Sequence, residues 1–298
     1  MWSRGKWMYG MWYKMVSDTS EKKFQKDIIN HLTSTGYLKR NTHDYNVASC
    51  LDPELTLKFV QDTQEKEWKK YQRVYGEKAE QKFFYRLISE LEKKGTIHIL
   101  RNGFKDVGAY FDLFYPQPNN NKNPDLFQKY EGNIFSVIEE LEYEDREHGN
   151  RIDLVIFING LPLLTIELKD TFSQGVEKAM KQYKEDRDPR EKIFKRCLVH
   201  FAMSDEKIYM ATKLEGHQTR FLPFNKGLEN PTVLDEYKTC YLYNEILQIN
   251  QLSKLIANFI YIERDEKDKT LETPIFPRYH QLYSVNLCWK MQIPVETI

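Results

Sequence analysis

The chain has 298 residues, of which 41% are hydrophobic and 30% charged, as is typical of a globular protein with one large or two modest domains. Its 44 basic and 44 acidic residues cancel, which excludes a surface that is basic overall, so any DNA contact must come from a local patch. The four cysteines form no C-x-x-C pair, which disfavours a zinc site and favours a reducing, cytoplasmic location. No run of about twenty apolar residues is present, and no membrane partner is expected.

The first half of the chain is predicted to be mainly helical. Apolar residues recur at helical spacing over 20–34 and again over 52–95, and a glycine follows each pattern. Residues 97–100 are predicted as a strand, and residues 116–124 (PQPNNNKNP) as a loop. Residues 1–17 contain no continuous apolar run, and we interpret them as an N-terminal tail without an assigned function.

The second half of the chain is predicted to be rich in strands. The predicted strands are Ile134–Leu141, Ile152–Ile158, Leu163–Leu168, about 196–203 and about 207–213. A helix is predicted at about 175–187, a second helical stretch from Tyr241 to Phe259, and a charged linker at Glu263–Lys269. Without the 52–95 stretch, the central element order is helix, three strands, helix, strand.

The segment Arg151–Asp170 (RIDLVIFINGLPLLTIELKD) is predicted to be a β-hairpin. Two apolar runs flank Asn159-Gly160, a strong signal for a tight turn between antiparallel strands. Asp153, Glu167 and Lys169 (the trio) are polar residues at the outer ends of these runs. Because the outer ends of a hairpin lie side by side, the trio is predicted to come together.

The loop length decides whether the two carboxylates share a face. A two-residue loop would turn Glu167 to the face opposite Asp153, whereas a three-residue loop pairing Ile158 with Pro162 would place the two carboxylates opposite each other. Pro162 cannot donate to the ladder, so a bulge or irregular loop is reasonable here. We predict the second register, in which Lys169 lies on the same face as Glu167.

The trio has the composition of a site for phosphodiester hydrolysis. Mg²⁺ prefers carboxylate oxygens, which Asp153 and Glu167 would supply, and the backbone carbonyl of Leu168 is a candidate third ligand. Lys169 would orient the attacking water or stabilise the transition state. The alternative is a surface hairpin with an exposed carboxylate–lysine pair, since D…E-x-K occurs by chance in chains rich in these residues.

A local basic patch follows the hairpin. Residues 178–196 contain eight basic and four acidic side chains, a local net charge of +4 (8 − 4). Lys178, Lys181 and Arg187 are the candidate DNA contacts. The alternative is an ordinary solvated helix face.

The hairpin run, followed by KQYKEDRDP, CLVHFAM and ATKLEG, resembles the R subunit of type I restriction enzymes, whose N-terminal part is similar to the PD-(D/E)xK nucleases. The similarity covers about residues 20 to 282. It implies an α/β fold with a restriction-endonuclease-like core, in which a central mixed β-sheet is flanked by helices. The endonuclease domain would occupy residues 18–262, with the helical insertion at 52–95.

The resemblance also implies an activity. The protein would be a Mg²⁺-dependent endonuclease (Mn²⁺ substituting) that cuts double-stranded DNA in defence against foreign DNA, beside separate modification and specificity subunits. By resemblance, Asp153 and Glu167 would hold the metal and Lys169 would act on the water.

Two positions depart from the family pattern. Gln182 matches the glutamine of the Q-x-x-x-Y motif and is a candidate catalytic residue, but Asp186 stands where the tyrosine is expected. Gln25 stands where a first-helix Glu is expected, which leaves Glu21 as its substitute.

The segment IFPRYHQL (275–282) resembles the entry to the family's ATP-driven motor, and Gln281 lies where such motors place a glutamine that reads adenine. No G-x-x-x-x-G-K-[ST] loop is present, so residues 263–298 are expected to be a linker and the start of a truncated motor region. ATP is therefore expected as a cofactor of the full-length subunit only.

Two other functions are compatible with these motifs. A free-standing repair nuclease would use the same chemistry, but the motor-like segment disfavours it. A DNA-holding or subunit-docking module with a decayed site is favoured by the two departures and disfavoured by the intact trio.

Overall fold

The structure, a computed structural model, describes residues 21–118, 123–144, 149–170, 175–264 and 272–291. The predicted N-terminal tail (1–17) lies outside these ranges, as do parts of the predicted loop at 116–124 and of the predicted linker. Within the described ranges, no helix combines the length and the apolar character that crossing a bilayer requires.

Ten α-helices are described. They are α1 (21–34), α2 (Pro53–Thr63), α3 (Glu65–Tyr75), α4 (Ala79–Lys94), α5 (Thr96–Asn102), α6 (Pro124–Glu131), α7 (Gly175–Glu185), α8 (Lys192–Arg196), α9 (Ile249–Lys254) and α10 (Tyr279–Met291). Two π-helical turns, Leu242–Ile246 and Leu255–Phe259, flank α9. Helix α2 begins where its sequence predicts, because Pro53 occupies the first turn and the Asp52 side chain accepts from the Leu55 N–H.

Eleven strands are described. They are β1 (Leu38–Arg40), β2 (Phe104–Asp106), β3 (Ala109–Phe111), β4 (Phe135–Glu142), β5 (Arg151–Ile158), β6 (Leu161–Lys169), β7 (Val199–Ser204), β8 (Ile208–Ala211), β9 (Leu222–Pro223), β10 (Tyr261–Arg264) and β11 (Glu272–Ile275). Seven of them form one mixed sheet in the order β1-β4-β5-β6-β7-β8-β9. The β1–β4 and β6–β7 pairs are parallel, and the remaining pairs in this sheet are antiparallel.

Helices cover both faces of the central sheet, because its strands alternate buried residues between two cores. Leu154 and Ile156 of β5 belong to the core that contains α1 and α2–α5. Val155 and Phe157 belong to a second core, which Tyr183 and other apolar residues of α7 complete. This architecture confirms the predicted fold class, an α/β restriction-endonuclease-like core with a central mixed sheet flanked by helices.

Most predicted elements of the second half are present within a few residues of the expected bounds, and the predicted helical stretch at 52–95 contains α2, α3 and α4. The predicted strand at 97–100 is wrong, since these residues lie in α5. A short apolar run does not distinguish a strand from a buried helix, and here Ile97 and Leu100 lie one turn apart in the core. The first two residues of the predicted linker, Glu263 and Arg264, belong to β10, which pairs with β11.

The predicted three-residue loop of the hairpin is also wrong. Asn159 and Gly160 form a two-residue turn, with Ile158 paired to Leu161. Both turn residues have positive φ, +50° and +78°, the conformation for which an Asn-Gly pair is favoured. A bulge then shifts the register, so that Leu154 pairs with Ile166. If this register continues by one residue, Asp153 lies opposite Glu167. That pairing was predicted from a three-residue loop, whereas in the structure it results from a two-residue turn followed by a bulge.

Candidate active site

The Asp153 carboxylate lies at the outer end of β5 and bridges to the neighbouring strand. Its Oδ2 accepts a hydrogen bond of 2.6 Å from the Leu168 N–H and lies 3.9 Å from the Lys169 ammonium. Burial raises the pKa of Asp153 above its ordinary value, although the nearby Lys169 charge acts in the opposite direction. The fold therefore holds this carboxylate in surroundings that disfavour its charged form.

Glu167, which lies opposite Asp153 on β6, is completely buried. Its Oε1 accepts a hydrogen bond of 2.8 Å from Nε of Arg187 and lies 2.8 Å from Nη2 of the same guanidinium, an ion pair. Its other oxygen, Oε2, is buried and accepts no hydrogen bond from any residue that the structure describes. Burial, followed by the negative charge of Asp153, raises the pKa of Glu167 well above its ordinary value.

Lys169 ends β6 with its ammonium turned towards the carboxylates. Its Nζ donates to Glu21 Oε1 at 3.0 Å and to the Leu168 carbonyl at 2.6 Å. Burial alone would lower the pKa of Lys169, but the charges of Asp153 and Glu21 outweigh it and raise that pKa. The carbonyl predicted to bind metal thus accepts from the lysine, so metal binding by Leu168 would require Nζ to move.

The first helix supplies two polar residues to the site. Glu21 contacts Lys169, and Gln25 donates through Nε2 to the Asp153 carbonyl at 3.0 Å and to Glu140 Oε1 at 3.3 Å. Gln25, at the position where a glutamate was expected, therefore bridges β4 and β5 rather than carrying a charge. Glu21 reaches the trio in its place, and burial raises the pKa of Glu21.

Sequence reasoning did not identify Glu140. This residue lies in β4 between the pairs Glu139–Leu154 and Leu141–Ile152, which places it across from Asp153. Its φ of +50° is uncommon for a residue with a side chain, and such strain concentrates at functional sites. Burial, followed by the charge of Asp153, raises the pKa of Glu140. No sequence signal identified it, because an acidic residue in a strand end is unremarkable alone.

The predicted DNA contacts have different environments. Lys178 and Lys181 are exposed on α7, and Lys181 pairs with Glu185 at 3.5 Å. Arg187 is instead buried against Glu167, so a contact between Arg187 and DNA would require the guanidinium to leave that carboxylate. Gln182 is half-buried on α7, and its catalytic role stays a prediction.

Gln281 lies away from the trio. Its Oε1 accepts from the Arg278 N–H at 2.8 Å, and it lines a cavity of about 580 Å³. Three cationic side chains, those of Lys213, Arg220 and Arg278, line the same cavity. The predicted nucleotide contact of Gln281 stays a prediction.

The residues around the trio fit a single hard cation. Among the described residues, no group of three or more His, Cys, Asp or Glu side chains is arranged to hold a metal ion. Mg²⁺, however, is commonly held by one or two carboxylates with waters and phosphate oxygens completing its shell. Asp153 and Glu167 would provide these carboxylates, and the buried Oε2 of Glu167 accepts no hydrogen bond from the described residues.

A mixed sheet covered by helices on both faces, with two carboxylates and a lysine at one end of a central hairpin, defines an α/β protein of the restriction-endonuclease-like class. Residues 18–219 match the family model described as the type I restriction enzyme R protein N terminus, and the chain belongs to this family.

Two curated relatives are similar to parts of the chain. The type I restriction enzyme HindI endonuclease subunit of Haemophilus influenzae is 30% identical over 175 residues, which cover 54% of this chain and 16% of that protein. The putative type I restriction enzyme MjaVIIIP endonuclease subunit of Methanocaldococcus jannaschii is 26% identical over 223 residues, which cover 72% of this chain and 20% of that protein. The matched region thus spans about a fifth or less of each relative.

Proposed function

We propose that this chain is a Mg²⁺-dependent endonuclease module that hydrolyses phosphodiester bonds of double-stranded DNA. The observation that carries the proposal is the assembly of Asp153, Glu167 and Lys169 at one end of the hairpin, with a buried Glu167 oxygen that has no protein partner among the described residues. In a purely structural cluster, such an oxygen would be expected to receive a hydrogen bond.

Each member of the trio would have a separate role. Asp153 and Glu167 would hold the metal, and the Leu168 carbonyl would join them once Lys169 Nζ moves from it. A bound Mg²⁺ would neutralise phosphate charge and lower the pKa of a water nucleophile. Lys169 would orient that water or stabilise charge in the transition state, and its contact with Glu21 would limit the positions that its ammonium can take.

DNA would approach across α7, which follows the hairpin in sequence. Lys178 and Lys181 are exposed there and are suited to phosphate contacts. In a type I restriction complex, modification and specificity subunits would be the protein partners, and ATP would act only with a motor region. Cleavage would then serve defence against foreign DNA.

A DNA-holding or docking module with a decayed site is the second candidate function. Asp186 in place of the motif tyrosine and Gln25 in place of a glutamate favour it. Against it, Gln25 and Glu21 are both engaged in the site, in contacts with Asp153 and Lys169.

Calorimetric titration with Mn²⁺ or Mg²⁺ separates these two functions. We expect binding by the native chain, its loss in Asp153→Asn, and its retention in Asp62→Asn, which alters an exposed carboxylate paired with Lys58. Loss of DNA cleavage in Lys169→Ala, with metal binding preserved, would support the hydrolytic role. If the native chain binds no metal even with DNA present, the endonuclease proposal fails and the docking module takes its place.

A further inference from the structure

Arg187 is a cation with an unusual location for a DNA-binding residue. It lies in the segment between α7 and α8, yet its side chain is only 3% exposed. Its side chain reaches both strands that carry the trio: Nε donates to Glu167 Oε1 on β6 at 2.8 Å, and Nη2 donates to the Arg151 carbonyl of β5 at 2.5 Å. Nη2 also lies 2.8 Å from Glu167 Oε1, within ion-pair distance. The guanidinium also lies over the Tyr143 ring, 5.8 Å from its centroid.

These contacts fix the orientation of the Glu167 carboxylate. A guanidinium usually engages a carboxylate in a fork, with one donor to each oxygen. Here Nε donates to Oε1, whereas Nη2 donates to the Arg151 carbonyl and lies 2.8 Å from the same Oε1, not beside Oε2. Oε2 is therefore left without a partner among the described residues.

We propose that Arg187 is a positioning residue of the metal site: by holding Oε1 of Glu167, it presents Oε2 as the oxygen that binds the divalent cation. This inference rests on the proposed function and adds to it a residue that touches neither metal nor substrate. It replaces the direct phosphate contact that the sequence alone suggested for Arg187. Glu167 would accordingly bind the cation through one oxygen.

The charge of Arg187 has a second consequence for Glu167. The carboxylate is completely buried, and a buried charge without a counter-ion is strongly disfavoured. Glu140, Asp153 and Glu21 surround the site with further negative charge, so Lys169 alone would face an excess of carboxylates. Arg187 offsets one of these charges through its contact with Oε1 of Glu167.

Mn²⁺ affinity measured by calorimetry on the full chain tests this role, with Arg187→Met and Arg187→Lys as the variants. Loss of a residue that orients a ligand typically weakens metal binding by about 10-fold to 100-fold, and we expect a loss of this size in Arg187→Met. Arg187→Lys keeps the charge but lacks the paired donors, and we expect an intermediate loss. Arg190→Met is the matched control, since this arginine of the same segment is paired with Asp188 and its side chain is 87% exposed.

A double-mutant cycle with Glu167→Gln distinguishes positioning from a general structural role. If Arg187 acts through Glu167, Arg187→Met added to Glu167→Gln leaves the residual Mn²⁺ affinity unchanged. An equal loss in both backgrounds, or native affinity in Arg187→Met, would overturn the inference. Thermal unfolding identifies any variant that does not fold, and if Arg187→Met is one, the cycle is run with Arg187→Lys.

DNA binding in EDTA tests the rival role of Arg187. We expect Arg187→Met to bind DNA as the native chain does, because the guanidinium does not face solvent. A weakening equal to that of Lys178→Ala would instead assign Arg187 to the phosphate backbone and overturn the inference. Absence of Mn²⁺ binding by the native chain is a separate result, because it removes the endonuclease proposal itself.

Discussion

The two ends of the β5–β6 hairpin both bury polar groups, but they treat them differently. At the turn, Asn159 is completely buried and its side chain is fully engaged, accepting from the Ile134 N–H and donating to the Leu113 carbonyl and Asn133 Oδ1. At the open end, Glu167 keeps one oxygen without a partner among the described residues, and Glu140 has a strained backbone. Polar burial at the turn is therefore fully satisfied by hydrogen bonds, whereas at the open end it is not, which is what the proposed metal site would require.

The largest expected effect is at the turn. In Gly160→Ala, the added Cβ would overlap the Asp52 carbonyl and the Thr56 hydroxyl at a φ of +78°, and we expect a loss of about 4 kcal/mol or more in unfolding free energy. The control is Gly76→Ala, since Gly76 has a φ of +56° but no atom within 4 Å of the added Cβ. The backbone conformation of Gly76, with ψ of −133°, is sparsely populated by residues with a side chain, and this strain alone costs about 1–3 kcal/mol. Urea unfolding measures both losses, and equal values would show that the turn end is not tightly packed.

The second effect arises between the two ends, where His200 of β7 packs beside β6. Its Nδ1 lies 2.8 Å from the Thr165 hydroxyl, and burial lowers its pKa to about 3. Between pH 6.5 and about 3 the unfolded chain binds a proton here that the folded protein does not, so this residue lowers stability as the pH falls. The loss approaches about 1.4 kcal/mol per pH unit below 6.5.

His200→Asn isolates this contribution. The carboxylates whose pKa values are raised in the fold have the opposite effect, because they favour folding as the pH falls. These carboxylates are the same in the native chain and in His200→Asn, so their contribution cancels when the two pH profiles are compared. The unfolding free energy of the native chain should therefore fall more steeply from pH 6.5 to 5 than that of the variant. Parallel pH profiles would show that His200 is not held neutral.

The hairpin also shows what sequence can predict. Its two strands, its turn residues and the trio follow from local patterns, since Asn-Gly and period-two apolar runs are properties of adjacent residues. The loop length was predicted wrongly, because Pro162 signals an irregularity but does not specify whether it lies in the loop or, as here, in a bulge at Pro162–Leu164. Residues Ile97–Leu100, predicted as a strand, form part of a buried helix, because a short apolar run does not distinguish the two.

The contacts that complete the site join residues that are far apart in sequence. Lys169 meets Glu21 across 148 positions, and Gln25 meets Glu140 across 115. Arg187 was assigned to a basic patch by its neighbours, although its side chain turns inward to Glu167. Composition and spacing describe which charges are near one another along the chain, and they do not specify which way each side chain points.

The third effect sharpens the contrast at the open end. Burial raises the pKa of Asp153, which means that the folded protein disfavours its charge, so Asp153→Asn should stabilise the metal-free protein at neutral pH. The same variant should lose Mn²⁺ binding. Thermal unfolding in EDTA and in Mn²⁺ measures both quantities. A destabilised metal-free variant would mean that Asp153 serves the fold, as Asn159 does at the turn.

The smallest effect on stability belongs to the surface beside the site. Lys178 is exposed on α7, so Lys178→Ala should change the unfolding free energy by less than about 0.5 kcal/mol. If this lysine contacts a DNA phosphate, its removal weakens binding to all sequences alike and reduces the slope of log affinity against log salt by about 1. Lys58→Ala, which alters an exposed lysine on α2, is the control and should leave that slope unchanged. An unchanged slope in Lys178→Ala would place the DNA on another face, because an exposed cation that contacts phosphate must release counter-ions when DNA binds.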